Sequence, residues 1–213
     1  MTLVVSFVSQ KGGVGKSTLA RAVAVAAAAQ QRSVLLADLD PQQLTVMAWG
    51  KLRGPLSDGL RIEAFGTFQE ALVNAKTVDV LVLDTPGRIC DETTNIARNS
   101  HLIVQPTSPS VDDLQLSMLV FQALGRVGIP QERLVFVLSR VLTHDEGEAA
   151  RSLLLQGEFA VVAGAIPEHI AFREAMKVGR AITETTDPTL NASSQALARE
   201  LLGLLDKYRP ITA

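Results

Sequence analysis

A glycine-rich segment near the amino terminus constrains the fold of this chain more than any other feature. Residues 10–18 read QKGGVGKST, after an apolar run at residues 3–8 and before an alanine-rich run that begins near Lys16. A strand, a glycine-rich loop and a helix in this order are typical of a phosphate-binding loop. Glycines let the loop curl so that several backbone N–H groups point at one anion, and the positive end of the next helix strengthens the attraction.

This loop supplies the groups that a nucleoside triphosphate requires. We expect Lys16 to reach the β- and γ-phosphates and Ser17 to offer its hydroxyl to Mg²⁺. The nucleotide contacts that we predict in the loop are Gly12, Gly13, Val14, Gly15, Lys16, Ser17 and Thr18.

One position departs from the usual phosphate-loop pattern. Gln10 stands where the first glycine is expected, and a second lysine, Lys11, follows it. In this respect the sequence resembles the deviant Walker A motif, K-G-G-x-G-K-[ST], of the ParA/MinD family of ATPases. The resemblance extends from Val4 to Tyr208. It implies that the protein binds ATP with Mg²⁺ and forms a homodimer in the ATP state, with Lys11 reaching the nucleotide of the partner subunit.

Apolar runs and helical patterns alternate along the 213 residues. Unbroken apolar strands separated by helices are typical of a parallel sheet that is covered on both faces. We therefore predict an α/β fold of three layers, in which helices cover both faces of a mostly parallel twisted sheet. Residues 1–213 are expected to form a single P-loop ATPase domain. Ligands of such sheets bind beyond the carboxyl ends of the strands.

The apolar pattern and the capping residues predict the bounds of the elements. Ser110 is expected to cap the helix that follows it. The predicted strands are residues 3–9, 33–37, 61–65, 78–83, 101–105, 133–138 and 160–166. The predicted helices are residues 16–30, 43–51, 67–75, 91–98, 111–127, 144–156, 170–178 and 190–208.

Three aspartates end two of the predicted strands. Asp84 closes a fully apolar strand, where a carboxylate can bind Mg²⁺ beside Ser17; the alternative is an aspartate that caps the next helix. Asp38 and Asp40 belong to a D-x-D-P-Q segment that the ParA/MinD family shares. The resemblance implies that Asp40 positions the attacking water as a catalytic residue together with Lys11 and Lys16. Asp38 is expected near the metal, or as a residue that orders the turn.

Two further segments are assigned by resemblance. Thr85-Pro86-Gly87 follows the strand-ending Asp84 and resembles a switch loop that senses the γ-phosphate. Arg140 ends a later strand and is expected in the adenine pocket together with Pro167; alternatively, Arg140 is exposed and pairs with Asp145 or Glu146.

The same resemblance suggests what the ATPase does. Small ParA-type proteins without an N-terminal helix-turn-helix domain serve plasmid or chromosome partition, and this sequence leaves no room for such a domain before Leu3. We expect non-specific binding to double-stranded DNA through phosphate contacts, and a centromere-binding or adaptor protein that stimulates hydrolysis. The candidate DNA contacts are the late basic residues Arg173, Lys177, Arg180, Lys207 and Arg209, whose alternative role is that of a solvated helical surface.

Composition excludes some classes of protein and leaves others open. The net charge of −2 argues against a strongly basic nucleic-acid protein but allows a local basic patch. Cys90 is the single cysteine, so the chain can form no intrachain disulfide, and we expect a cytoplasmic, nucleoid-associated protein.

Three alternative functions stay open. One is ParA-like positioning of a protein cargo on the nucleoid. Another is a scaffold that does not hydrolyse ATP, against which the intact Lys16, Asp40 and Asp84 argue. The third is a MinD-like ATPase that cycles on a membrane, which needs an amphipathic C-terminal helix with a basic face. Residues 190–208 carry acidic residues and fit a core-packing helix better, so a membrane partner is not expected.

Overall fold

The computed structural model describes residues 1–54, 59–87 and 91–209. Seven strands form one sheet: β1 (Leu3–Phe7), β2 (Val34–Asp38), β3 (Leu60–Ala64), β4 (Val80–Asp84), β5 (Leu102–Thr107), β6 (Leu134–Val141) and β7 (Ala160–Pro167). All neighbouring strands pair in parallel, in the order β3-β2-β4-β1-β5-β6-β7.

Helices cover both faces of this sheet. They are α1 (Lys16–Ala29), α2 (Thr45–Arg53), α3 (Phe68–Asn74), α4 (Asp91–Asn99), α5 (Val111–Arg126), α6 (His144–Gln156), α7 (Ile170–Lys177) and α8 (Pro188–Asp206). Short 3-10 turns lie at Gln131–Arg133 and Ile182–Glu184. Helices α1, α2, α7 and α8 share one apolar core with the sheet, whereas α3, α4, α5 and α6 pack in two cores on the other face. The predicted three-layer fold is confirmed.

The central strands are buried because both faces carry helices. Every residue of β1, β2 and β4 is buried, which explains their unbroken apolar sequences. Only the carboxyl ends of these strands carry charge. Asp38 and Asp84 are partners in the register of β2 and β4, and Phe7 is the partner of Asp84 in β1. The parallel register therefore brings the glycine-rich loop and both aspartates to one edge of the sheet.

Side-chain caps are present at the amino-terminal ends of α3, α5, α6, α7 and α8. The hydroxyl of Ser110 accepts a hydrogen bond from the backbone N–H of Asp113, which confirms the predicted cap of α5. Helix α8 begins two residues before its predicted start. The carboxylate of Asp187 accepts hydrogen bonds from Thr189 and Leu190, and Pro188 occupies the first helical position, where its missing N–H has no cost.

Helix α8 is a core helix. Its apolar residues Leu197, Leu201, Leu202 and Leu205 are each at most 1% exposed and pack against α1 and the sheet. This apolar face is therefore not available to a lipid surface. Over the described ranges of the chain, no helix combines the length and the apolar character that crossing a bilayer requires.

Candidate nucleotide-binding site

A cleft of about 530 Å³ lies at the carboxyl edge of the central strands. The glycine-rich loop and the first turn of α1 form one wall, and the ends of β2 and β4 form another. The lining residues include Gly12, Gly13, Gly15, Lys16, Ser17, Thr18, Asp40, Asp84, Thr85 and Gly87. The structure thus brings together most of the loop residues that the sequence assigns to nucleotide binding.

The loop adopts a backbone conformation that only glycine accepts without strain. Gly13 and Gly15 have φ angles of 76° and 105°. Gly15 precedes α1, and within the described part of the chain no side chain caps that end of the helix; its first turn also carries no acidic residue. The N–H groups at the helix start therefore remain available to an anion such as a phosphate. On its outer side the loop is held by Ser139, whose hydroxyl donates to the carbonyl of Val14 at 2.6 Å.

Lys16 points into the cleft. It is only 8% exposed, and burial lowers the pKa of its ammonium group, against the opposing influence of Asp84 and Asp40. The ammonium group of Lys16 therefore lies where it can bind a polyanion such as a triphosphate. Gly87 of the predicted switch loop lies beside it, because a Cβ on Gly87 would stand 3.4 Å from the Lys16 Nζ.

Asp84 has the properties of a metal-binding carboxylate. It is 2% exposed, accepts a hydrogen bond from Ser17, and its Oδ1 has no hydrogen-bond partner among the residues that the structure describes. Burial raises its pKa to about 6, and the nearby Asp38 acts in the same direction. An orphaned carboxylate oxygen beside a serine hydroxyl fits Mg²⁺, which takes oxygen ligands.

Asp38 and Asp40 are placed differently. The carboxylate of Asp38 is 1% exposed and accepts hydrogen bonds from the backbone N–H groups of Asp40, Val46 and Met47, at 3.1, 2.9 and 3.1 Å. It therefore anchors the start of α2, which corresponds to the ordering role that the sequence left as its alternative. Asp40 lines the cleft, and its Oδ1 accepts hydrogen bonds from the N–H groups of residues 42 and 43.

Lys11 points away from the cleft. Its side chain is 58% exposed, and its Nζ lies 2.5 Å from Asp113 Oδ1 on α5. It lines a separate groove of about 180 Å³ together with Gln10 and Leu116. The two lysines of one loop thus have different environments, since Lys16 is enclosed and Lys11 is on the surface.

A second cavity of about 200 Å³ adjoins the loop at the ends of β6 and β7. Arg140 and Pro167, for which we predict contact with adenine, both line this cavity. Arg140 has a left-handed φ of 59° and pairs with Glu168 at 3.3 Å, rather than with Asp145 or Glu146. This ion pair differs from the sequence-based alternative because β7 ends beside β6, which brings Glu168 to Arg140.

The five late basic residues do not form one surface. Arg173 and Lys177 line the nucleotide cleft from α7 and pair with Glu168 and Glu174. Arg180 lies just beyond α7 and is exposed. Lys207 and Arg209 follow α8 near the amino edge of the sheet. There Arg209 pairs with Asp206 and lies near Asp79, which precedes β4. Hydrogen bonds from Ser33 lower the pKa of Asp79, and the charge of Arg209 adds a smaller effect in the same direction.

The predicted switch loop is described only in part. The hydroxyl of Thr85 donates to the carbonyl of Phe7 at 2.7 Å, which fixes the start of the loop to β1. Residues 88–90, including Cys90, lie outside the described residues.

Sequence reasoning missed two residues of this region. Arg21 is a cleft-lining arginine, and its signal is a charge within an otherwise apolar helical run. Asp113 is the ion-pair partner of Lys11, but in the sequence it resembles any acidic residue in the first turn of a helix.

Comparison with known proteins identifies the family. Residues 5–182 match the family model of the CobQ/CobB/MinD/ParA nucleotide binding domain. The chain belongs to this family. The match includes the glycine-rich loop, all three aspartates and the ends of β6 and β7.

One relative agrees with this assignment, and two solved structures share the fold. The chain is 32% identical over 153 residues to the maintenance of carboxysome distribution protein A of Gloeobacter kilaueensis, covering 70% of this chain and 68% of the relative. The septum site-determining protein MinD of Pyrococcus horikoshii, solved with Mg-ADP, has a TM-score of 0.74 at 21% identity, covering 99% of this chain and 100% of that one. A protein assigned to plasmid partition in Borrelia burgdorferi B31, solved with AMPPNP, has a TM-score of 0.73 at 15% identity, covering 98% and 100%.

Proposed function

We propose that this protein is a Mg²⁺-dependent ATPase that dimerises on ATP, binds DNA without sequence preference in that state, and serves DNA partition. The observation that carries the proposal is the divergence of the two loop lysines. Lys16 is enclosed in the cleft, whereas Lys11 is 58% exposed and lines a separate groove. A lysine in this position can leave Asp113 and serve the nucleotide of a second copy.

The residues of the cleft divide the chemistry between them. Loop N–H groups and Lys16 bind the phosphates of ATP, and Ser17 and Asp84 are the groups that would hold Mg²⁺. Bound there, Mg²⁺ would neutralise phosphate charge. Asp40 lines the cleft and orients the attacking water. Lys11 of the partner subunit would add a second cation as the bond between the β- and γ-phosphates breaks.

The adenine of ATP is expected in the second cavity. Arg140 and Pro167 line this cavity next to Gly13 and Gly15, so it continues the phosphate cleft past the loop. A guanidinium plane can stack on a base. Arg173 lines both cavities and lies where the ribose would join them.

DNA binding separates DNA partition, and the positioning of a protein cargo on the nucleoid, from the membrane cycle of a MinD-like ATPase. The candidate contacts form two groups, Arg173 with Lys177 at the cleft and Lys207 with Arg209 at the opposite edge. The test is a gel retardation experiment with ATP, ADP and no nucleotide, on two unrelated DNA duplexes. Retardation of both duplexes with ATP, but not with ADP or without nucleotide, supports the proposal. Retardation to the same extent under all three conditions contradicts it.

Two double variants locate the DNA surface. Lys207→Ala with Arg209→Ala leaves the cleft untouched, so a loss of retardation with normal ATP binding assigns DNA contact to the amino edge. Arg173→Ala with Lys177→Ala removes two cleft residues, so its ATP affinity must be measured in parallel. Each phosphate contact removed should lower the salt dependence of DNA binding by about one unit of slope.

A protein cargo is the second candidate function. It is favoured by the relative whose name assigns it to carboxysome distribution. The ATPase cycle, DNA binding and stimulation by an adaptor protein would be the same, and the protein would be cytoplasmic and associated with the nucleoid. Deleting the gene separates the two: plasmid or chromosome loss indicates partition, whereas clustering of one protein assembly at normal DNA inheritance indicates a protein cargo.

A further inference from the structure

A buried arginine joins three helices beside the nucleotide cleft. Arg21 lies one turn after Ser17 on α1 and is 6% exposed. Its guanidinium donates to the backbone carbonyl of Thr45 at 2.7 Å and to the sulfur of Met176 at 3.7 Å. Thr45 is the first residue of α2, and Met176 belongs to α7.

Burial of a charge needs compensation, and here it is incomplete. Desolvation lowers the pKa of Arg21, while Asp84 and Asp38 act against that shift. Its Nε has no hydrogen-bond partner within the described part of the chain. The guanidinium also lies 5.4 Å from the ring centre of Trp49. Arginine with an unsatisfied donor is costly at a buried site, so a function other than packing is indicated.

The hydrogen-bond partner of Arg21, the carbonyl of Thr45, adjoins the segment that contains Asp40. Residues 39–44 connect β2 to α2 and contain Asp40, the proposed water-positioning residue. Asp38 holds the far end of this connection through the N–H groups of Val46 and Met47. Arg21 holds the same point through the carbonyl of Thr45, so a negative and a positive side chain fix the start of α2 together.

This connection includes a residue in a strained conformation. Leu44 has a left-handed φ of 46° and is 40% exposed, so packing of its side chain does not impose the conformation. Hydrogen bonds hold the backbone on either side of it: the N–H of Leu44 donates to the carbonyl of Asp40, and the carbonyl of Thr45 accepts from Arg21. Without the guanidinium, the Asp40 loop can relax away from the cleft.

We infer that Arg21 is a positioning residue for ATP hydrolysis, which fixes the Asp40 loop against the cleft through the carbonyl of Thr45. This inference rests on the proposed ATPase function. It assigns Arg21 no contact with ATP. Its effect therefore falls on turnover, because displacing a water-orienting group costs rate while the phosphate-binding groups of the loop are unchanged.

The test compares Arg21→Met with Arg53→Met. Arg53 is a matched control because its guanidinium also lies over Trp49, at 5.3 Å, while its donors go to Gly179 and Glu184. We expect Arg21→Met to lower kcat by about 10- to 100-fold with KM for ATP within about twofold. Arg53→Met should keep kcat within about twofold, and Arg21→Lys, which still donates to the carbonyl, should recover part of the loss.

Hydrogen exchange at the amides of Val46 and Met47 provides a readout that needs no hydrolysis. These amides should exchange faster in Arg21→Met than in the parent protein or in Arg53→Met, in the absence of nucleotide. If the parent protein has no ATPase activity, the proposed function fails, and this exchange comparison still decides whether Arg21 anchors the loop. Unchanged exchange overturns the inference. A KM increase as large as the fall in kcat also overturns it, since Arg21 would then bind ATP directly.

Discussion

The Nζ of Lys11 lies 2.5 Å from Oδ1 of Asp113 in the same chain. The carboxylate is 8% exposed and also accepts a hydrogen bond from the hydroxyl of Ser108 at 2.6 Å. Burial alone would raise the pKa of Asp113, but the hydrogen bonds from Lys11 and Ser108 prevail and lower it. The monomer thus keeps Lys11 occupied with an internal partner, and this contact competes with any contact that Lys11 makes to a second copy.

Removing the charge of Asp113 should therefore favour the dimer. In Asp113→Asn, Lys11 loses its anionic partner, and the ATP-dependent dimer should tighten by about 2- to 5-fold, the range expected for a partly exposed ion pair. Analytical ultracentrifugation with ATP and Mg²⁺ measures this change. Asp112→Asn is the matched control, because Asp112 also lies in the first turn of α5 but is exposed. A weaker dimer in Asp113→Asn alone would show that Asp113 acts within the dimer itself.

The two loop lysines should separate nucleotide binding from turnover. Lys16→Ala removes the buried cation of the cleft, and we expect tight ATP binding to be lost. Lys11→Ala leaves the cleft intact, so it should keep measurable ATP binding while hydrolysis is abolished and the dimer weakens. Calorimetric titration with ATP and a phosphate-release assay measure the two effects. Normal hydrolysis by Lys11→Ala would remove this lysine from the mechanism.

Substitution of Asp40 should lower the rate of ATP hydrolysis without changing ATP binding or dimerisation. Asp40→Ala removes the group that orients water but leaves Lys16, Ser17 and Asp84 in place, so ATP binding and the ATP-dependent dimer should persist without hydrolysis. The hydrogen bonds of Asp40 to residues 42 and 43 are lost in the same variant. Asp40→Asn keeps an acceptor for them and serves as the control for loop structure. Hydrolysis at the parental rate in either variant would exclude a water-positioning role.

Local sequence signals predict the fold and the interior of the cleft well. Helix α6 has its predicted bounds, and most strand ends differ from the prediction by one to three residues. The signals that predict them are local: apolar runs mark the strands, and a residue such as Ser110 caps the helix that follows it. The orientation of Lys11 and the pairing of Arg140 depend on contacts between residues far apart in sequence. Asp113 lies 102 residues from Lys11, so no local pattern could reveal their ion pair.

The same limit applies to surface charge. The candidate DNA contacts from Arg173 to Arg209 are grouped only by their late position in the sequence. Helix α8 runs between them and carries Lys207 and Arg209 to the amino edge of the sheet, while Arg173 stays at the nucleotide cleft. The 19 residues of α8 therefore separate in space basic residues that lie near one another in the sequence.

The pKa of Asp84 gives a prediction about stability as well as function. Burial raises this pKa to about 6, above the value of about 3.9 for an unfolded aspartate. Folding therefore favours the protonated form, so the contribution of Asp84 to stability is full below about pH 4 and is lost as the pH rises through 6. At pH 8 the nucleotide-free protein holds a buried carboxylate whose Oδ1 has no hydrogen-bond partner among the described residues.

Asp84→Asn should accordingly stabilise the nucleotide-free protein while it weakens Mg²⁺ binding. The amide is neutral and can still accept from Ser17, so we expect the free energy of unfolding to rise by about 2–3 kcal/mol at pH 8 and by less at pH 5. Urea denaturation at both pH values measures the change. Asp79→Asn is a control of opposite sign, because hydrogen bonds from Ser33 lower the pKa of Asp79 and that carboxylate stabilises the fold above its pKa.

In the parent protein, the affinity for Mg²⁺ should rise with pH, whereas the contribution of Asp84 to stability falls with pH. Mg²⁺ needs the ionised carboxylate, so its affinity in the presence of ADP should fall by about tenfold for each pH unit below 6. Asp84→Asn should bind Mg²⁺ weakly at every pH.

The stability of Asp84→Asn also tests whether the carboxylate is uncompensated. If this variant is destabilised at pH 8 as much as at pH 5, other groups of the folded protein already compensate the buried charge of Asp84, and the carboxylate is not available to a cation.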